Sequence, residues 1–400
     1  MDFNLSAKQI NLQSLARVFA RENIRPRAKD LDKNPDPSQS WPYDLFEKAS
    51  KLGLRTLKIP KEFGGQGIDT LTELIVLEEL CVGDISFGSS LAHPWREGLI
   101  LASATTNEQR ELFLKPFLED HNAMTSIGIT ELHSGSDNAT GYDKELKAGS
   151  MTEAIYDGSE WVLNGRKIFI TAGNVAQFML VVARTNKKVS WKEGISIFIV
   201  PTNTKGYQCI RVMDKLGMRV NPNTEVVFTN CRVPKINLIG ELNNGYSILS
   251  KYGASSKVKE GVKSLGAARA AYEEALNWCQ NRHQGGKKLI EHQSIAHCLA
   301  RMAGKIEACR SLCWRAGWSI DHDPINAIPL QTIAKIETCE MAAKVAVEAL
   351  ELFGGYGVLK EYPIEKIARD AITMLHTTGG QLALTSSLAE QLNFITKKNE

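Results

Sequence analysis

Four short strings in this chain carry residue types that can do chemistry as well as pack. The run Ile127-Gly-Ile-Thr-Glu-Leu-His-Ser-Gly-Ser-Asp137 stands where a strand should end in a loop of small residues. Backbone N–H groups in such a loop can face an electron-rich ring or a phosphate. In Lys167-Ile-Phe-Ile-Thr-Ala-Gly173, Phe169 and Thr171 share parity and hence one face of a strand. An aromatic there could cover an isoalloxazine ring while the threonine bonds its edge; an ordinary amphipathic strand would look the same. Arg282-His-Gln-Gly-Gly-Lys-Lys-Leu-Ile-Glu-His-Gln293 sets an arginine, a glycine turn and a glutamine in a helix–loop–helix. The glycines 354, 355 and 357 follow a helix and do not open one after a strand, so they are not a nicotinamide-binding fingerprint.

The elements that must position these strings fall into three regions. From residue 5 to about 118, apolar residues recur at three and four (Leu12, Leu15, Ala16, Phe19; then Leu74, Leu77, Cys81), which is helical periodicity. The Lys61-Glu-Phe-Gly-Gly-Gln-Gly67 stretch is a loop by composition. From about 124 to 234 the pattern changes to short β-branched or alternating runs. The spans 152–156 and 161–163, joined at Asp157-Gly158, predict a hairpin, and Asn164-Gly165 predicts a second turn into 167–171. Further strands are expected at 178–183, 195–200 and 225–229. From about 247 onward long helices return, with good helix formers over 265–283 and 332–353, the second capped by Gly354-Gly355. A β-module between two helical regions leaves a crevice suited to a flat cofactor.

Bulk properties exclude several classes. The 400 residues are 43% hydrophobic and 23% charged, with a formal net charge of +3 and no long basic run, so no nucleic-acid track is expected. The most apolar runs are too short to span a bilayer. The first ten residues hold no apolar run flanked by positive charge, so a cytoplasmic location without membrane insertion is expected. Eight cysteines share no metal-type spacing; Cys309 and Cys313, one helical turn apart, are too few for a metal site, and buried free thiols are expected.

In order and spacing, these strings resemble the acyl-CoA dehydrogenase family over essentially the whole chain. Lys215-Leu-Gly-Met-Arg219 and Val233-Pro-Lys-Ile-Asn-Leu-Ile-Gly240 add to the likeness. The resemblance implies an α+β multidomain fold: an N-terminal helical domain (1–121), a central β-barrel domain (122–240) and a C-terminal four-helix bundle (241–400). It implies FAD as cofactor, an acyl-CoA substrate, an electron-transfer flavoprotein as electron partner and a homotetramer or dimer. Matched residue by residue, Ile127, Ile129 and Thr130 fall at flavin contacts, and Ser136 on the acyl-CoA or FAD-phosphate side. Phe169 replaces a common tryptophan over the ring, and Thr171 matches the threonine beside the flavin's reactive nitrogen. Arg282, Gln293 and the Glu351, Gly354, Gly355 segment match positions that reach the FAD of a neighbouring subunit. Lys257 stands where an arginine often meets the CoA moiety, although an exposed helical lysine would look alike.

The same resemblance exposes a gap. Removing a proton alpha to a thioester suits a carboxylate of raised pKa. The family's glutamate precedes Gly-Thr a few residues beyond an Arg-Asp pair; here Arg369-Asp-Ala-Ile-Thr-Met-Leu-His-Thr-Thr-Gly-Gly380 places Thr378 there, and a threonine does not ionise near neutrality. The alternative family position, on the helix opening the C-terminal bundle, matches Ser256. Three readings follow. The base has moved, with Glu97, His93 or both in His93-Pro-Trp-Arg-Glu97 acting and Arg96 pairing with a carboxylate on a dicarboxylic chain, or with a cyclic acyl group as substrate. A solvated helix surface is the plain alternative for these three. Glu260 is a weaker candidate, because Lys257, Lys259 and Lys263 suggest an exposed charged face. The other two readings are a flavin-dependent monooxygenase or hydroxylase, and a non-catalytic flavin-binding homologue.

Overall fold

A computed structural model describes residues 4–136, 146 and 148–392; Asp137 of the first string lies outside them. Helix α1 (Ala7–Phe19) begins at a capping box formed by Ser6 and Gln9, and its period places Leu12, Ala16 and Phe19 on the buried side. A π-helical turn (Ala20–Ile24) leads to α2 (Arg25–Asp32), followed by α3 (Tyr43–Lys51). α4 (Thr70–Gly83) is capped by Asp69 and α5 (Ile85–Ser103) by Asp84. α4 is buried almost all round, because it lies against the C-terminal helices Ser256–Asn281 and Gln293–His322 as well as α1 and α5. The short α6 (Asn107–Gln109) and α7 (Lys115–Glu119) complete this region.

The central region contains β1 (Thr125–Gly128), β2 (Glu153–Tyr156), β3 (Glu160–Thr171), β4 (Phe178–Arg184), the short helix α8 (Trp191–Gly194), β5 (Ile195–Pro201), β6 (Tyr207–Val212), β7 (Asn223–Pro234) and β8 (Leu238–Ile239). Strand order is β6-β7-β3-β2-β4-β5-β8, with β1 also beside β4. β4 pairs in parallel with β1 and β2 and antiparallel with β5. The expected β-barrel is therefore corrected to a mixed sheet. Its path ends at β6 and at the two-residue β8, and a barrel would need those edges paired.

A second correction concerns Asn164-Gly165, which is not a turn. β3 runs through it and pairs with β7 on both sides, with a register shift between Leu163 and Gly165. The Asn164 side chain bonds Asn230 across the bulge, accepting from its backbone N–H at 2.8 Å. Gly165 has φ +153°, and a Cβ there would meet Thr152 at 2.5 Å. The turn-forming dipeptide serves close approach within a long strand.

The C-terminal region holds α9 (Gly245–Tyr252), α10 (Ser256–Asn281), a small hairpin of β9 (His283–Gln284) and β10 (Lys287–Lys288), α11 (Gln293–His322), α12 (Pro324–Leu352), α13 (Ile364–Thr373) and α14 (Gln381–Gln391). One core joins both helical regions: Leu74, Leu77 and Leu80 of α4 meet Val262, Leu265, Cys313 and Val345. All eight cysteines are free, and burial pushes Cys313 up to about 12. No helix among the described residues is long and apolar enough to cross a membrane.

Candidate active site

The Ile127 string leaves β1 and is fastened to β3. Ile127 sends its side chain into the core with Ile100, Leu101 and Ile197, so only its backbone can meet a ligand. Ile168 N donates to Thr130 O at 2.9 Å, and Ser126 Oγ donates to Thr171 O at 2.6 Å. Ile129 packs beside that core, Thr130 is half-buried, and Ser136 is exposed.

An ion pair that sequence reading missed fixes this strand end. Lys167, fully buried on β3, donates to Glu131 Oε1 at 2.7 Å, Ile129 O at 3.1 Å and Ser150 Oγ at 2.6 Å. Glu131 also accepts from the N–H groups of Met151 and Thr152. Burial pushes Lys167 down to about 8 against the pull of Glu131. Burial would raise Glu131, but Lys167 and the Ser150 and Thr152 hydrogen bonds outweigh it and hold the carboxyl at about 2. A lysine between residues that read as a buried strand was the only sequence signal.

Phe169 and Thr171 do not follow simple alternation, because Lys167 and Ile168 are both buried and the register shifts before Ile170. Phe169 takes φ +58°, a conformation rare for a bulky residue, and the residue is 62% exposed. Asn223 Nδ2 bridges Phe169 O and Thr171 Oγ1, both at 3.3 Å. An open aromatic face beside a hydroxyl on a bent strand fits a flat heteroaromatic ring.

The second group lies at the exposed end of α10, α11 and α12. The Arg282 guanidinium sits over Tyr356 at 5.1 Å and Trp278 at 5.8 Å. Gln293, Glu351, Gly354 and Gly355 are exposed, and a Cβ at either glycine would meet open space.

The charged string on α5 is not a solvated surface. Glu97 is fully buried, and Arg96 donates to its Oε1 from Nη2 at 2.7 Å and Nε at 3.0 Å. Oε2 is buried without a hydrogen-bond partner, as is His93 Nε2, which lies 3.8 Å from Oε1. Burial pushes His93 down to about 4, with Arg96, Lys263 and Lys259 adding to it against Glu97, so the imidazole is neutral at pH 7. Burial favours the acid form of Glu97, but the Arg96 charge outweighs it and keeps its pKa below the ordinary value.

The charges continue inward from α5. Glu73 on α4 pairs with Lys259 at 3.1 Å and Lys58 at 3.5 Å, and Glu260 pairs with Lys263 at 2.7 Å. The expected exposed face around Glu260 is corrected: Glu260 and Lys259 are each only 8% exposed, because α10 turns this side toward α4 and α5. Burial would raise Glu260, but Lys263 and the neighbouring Thr377 hydroxyl lower it. Lys335 of α12 donates to Gly379 O at 2.9 Å and Gln381 Oε1 at 3.2 Å, holding the turn that carries Thr378. Thr378 has φ +48° and is exposed. Ser256 opens α10, and Lys257 is half-buried, donating to Thr332 Oγ1 at 3.0 Å.

A helical region, a mixed sheet and a second helical region, with an aromatic–hydroxyl strand at the junction, match one family along the chain. Models for the acyl-CoA dehydrogenase N-terminal, middle and C-terminal domains match residues 6–121, 126–231 and 244–392. The chain belongs to the acyl-CoA dehydrogenase family, FAD-dependent oxidoreductases acting on CH–CH groups. It is 32% identical over 372 residues to the short-chain-specific acyl-CoA dehydrogenase of Clostridium acetobutylicum, covering 93% of this chain and 94% of that one. It is 31% identical over 361 residues to the caffeyl-CoA reductase-Etf complex subunit CarC of Acetobacterium woodii, covering 90% and 91%. Among solved structures, a glutaryl-coenzyme A dehydrogenase in complex with glutaryl-CoA superposes with a TM-score of 0.90 at 27% identity, covering 100% and 98%.

Proposed function

We propose that this enzyme interconverts an acyl-CoA bearing a distal carboxylate and its α,β-unsaturated form, with Glu97 as the proton acceptor in place of the family's usual glutamate. The observation that carries the reading is Glu97 Oε2, an ionised carboxylate oxygen buried without a partner on a helix of the acyl side. In the oxidative direction a proton leaves one carbon of the acyl chain for Glu97, a hydride leaves its neighbour, and the C=C bond forms. FAD, when bound, would supply the hydride acceptor. Arg96 fixes the acceptor by engaging only Oε1, and neutral His93 adds no competing charge beside it.

Charge balance supports the substrate class. Five cations, Lys58, Arg96, Lys259, Lys263 and Lys335, face three carboxylates, Glu73, Glu97 and Glu260, across this partly buried layer. The excess of cations suits a carboxylate on the acyl chain. The glutaryl-CoA complex of the structural relative agrees with this chemistry. Thr378, in the turn held by Lys335, would then serve as a hydrogen-bonding group and not as a base. A second reading has one specific support: Glu260, one helical turn beyond Ser256, lies beside Thr377 and could take the proton instead.

The cofactor side follows from the same assignment. Phe169 would cover the flavin, Thr171 would bond its edge, and the backbone of Ile127, Ile129 and Thr130 would line the ring. Ser136 and Lys257 meet the phosphate and CoA portions. Arg282, Gln293, Glu351, Gly354 and Gly355, all at one exposed end, reach the FAD of a neighbouring copy in a homotetramer or dimer. Electrons pass to an electron-transfer flavoprotein, as the name of the Acetobacterium relative suggests for that complex.

Anaerobic titration of the FAD-loaded enzyme tests the reading. Dicarboxylic acyl-CoAs should bleach the flavin absorbance, and straight-chain or cyclic monocarboxylic ones should do so weakly. Absence of bleaching by every thioester would end the dehydrogenase assignment.

A further inference from the structure

The loop 213–222 between β6 and β7 contains a lysine, Lys215, that forms no ion pair with a carboxylate among the described residues. Lys215 Nζ donates to Asn221 O at 2.6 Å and to Asn223 Oδ1 at 2.8 Å. The nearby acids are engaged elsewhere: Asp214 by Arg219, and Asp370 by Lys366 and the Met218 N–H. Lys215 therefore stands where its donors, and not an ion pair, matter.

Asn223 is the middle of a chain of hydrogen bonds. Its Oδ1 accepts from Lys215, and its Nδ2 donates to both Phe169 O and Thr171 Oγ1. This set allows one amide orientation only. Reversed, Oδ1 would face the Phe169 carbonyl, and the NH2 group would face the ammonium. Thr171 Oγ1 must then accept from Asn223. The single hydroxyl proton is left over, with no acceptor for it among the described residues.

We propose that Lys215 is a positioning residue that, through Asn223, fixes the Thr171 hydroxyl as a hydrogen-bond donor toward the edge of the flavin. The acceptor chemistry is a heteroaromatic ring nitrogen with an in-plane lone pair. This rests on the proposed placement of Thr171 beside the flavin. The loop is held from several sides, which makes such positioning effective. Asn221 N donates to Ser86 Oγ of α5 at 2.8 Å, Ala172 N to Pro222 O at 2.8 Å, and Arg219 to Asp32 O and Asn34 O, both at 2.9 Å.

The test compares Thr171→Val, Lys215→Met, Asn223→Leu and the double variant Thr171→Val/Lys215→Met as FAD-loaded proteins. Three quantities are read: the flavin visible band, its midpoint potential and the rate of reduction by substrate. Lys215→Met and Asn223→Leu should each move band and potential in the direction of Thr171→Val and slow reduction about tenfold, the loss expected for one hydrogen bond. The double variant should match Thr171→Val alone, and Lys215→Arg should restore much of the effect. If Lys215→Met does not fold, Asn223→Leu, with Lys215 intact, must still show the shift. Both variants remaining at the unmutated band and potential while Thr171→Val moves would overturn the proposal, as would additive shifts in the double variant. An unmutated protein that binds no FAD would fail the flavin reading itself, and a silent Thr171→Val would fail the placement of Thr171.

Discussion

Arg96 grips one oxygen of Glu97 with two nitrogens and leaves the other oxygen buried with nothing to bond. The two residues are adjacent in sequence, and the Arg96 charge keeps Glu97 ionised against its burial, so the carboxylate is both ionised and half-satisfied. That half-satisfied state is what a proton acceptor needs before substrate arrives.

Replacing Glu97 with Gln keeps the Arg96 hydrogen bond and removes the basic oxygen. Flavin reduction by substrate, measured by anaerobic stopped flow, should fall about 10²- to 10⁴-fold with FAD still bound. Glu260→Gln should change the rate less than about threefold. The opposite ranking of the two variants would move the base to Glu260.

The excess of cations around Glu73, Glu97 and Glu260 predicts selectivity. At equal chain length, an acyl-CoA ending in a carboxylate should exceed its neutral analogue in kcat/KM by about 10- to 100-fold, the range for one charge-assisted hydrogen bond. Equal kcat/KM for the two would remove the dicarboxylic assignment while leaving the family intact.

Lys167 and Glu131 should govern part of the acid stability. Glu131 has its folded pKa depressed to about 2, so its contribution is complete above the ordinary 4.5 and is lost as pH falls from 4.5 toward 2. Urea midpoints of the unmutated protein should drop through that window, and those of Glu131→Gln should drop less. Lys167→Met strands a buried carboxylate and should cost about 3–5 kcal/mol at pH 7.

His93 acts in the same sense at higher pH. Its folded pKa is pushed down to about 4 from 6.5, so the unfolded chain binds the proton first and stability declines as pH falls from 6.5 to 4. The His93 imidazole resonances should stay at their neutral positions down to about pH 5. A midpoint near 6.5 would place the ring in contact with solvent.

Gly217 touches the helix that leads to Thr378. A Cβ there would lie 2.6 Å from the backbone carbonyl of Arg369, which cannot swing aside as a side chain could. Gly217→Ala should lower stability by about 1–3 kcal/mol in urea denaturation. An unchanged midpoint would mean that α13 shifts freely.

The sequence by itself determined the local elements and the order of motifs. Apolar residues at three and four wrote α1 and α4, and the short continuous apolar runs at 178–183 and 195–200 wrote β4 and β5, because helical period and apolar run length are local properties of the sequence. Residue types along the string also carried the family and its cofactor. What depended on distant packing was not legible. Asn164-Gly165 reads as a turn until β7 pairs across it, and the sheet reads as a barrel until its edges are seen unpaired. Glu260 reads as solvated until α10 turns it against α4 and α5, and Lys215 reads as part of a motif until Asn223 links it to Thr171. Only the tertiary structure decided which charges lose water and which oxygens go without partners. Desolvation depends on the residues that close over a group, and those come from anywhere in the chain.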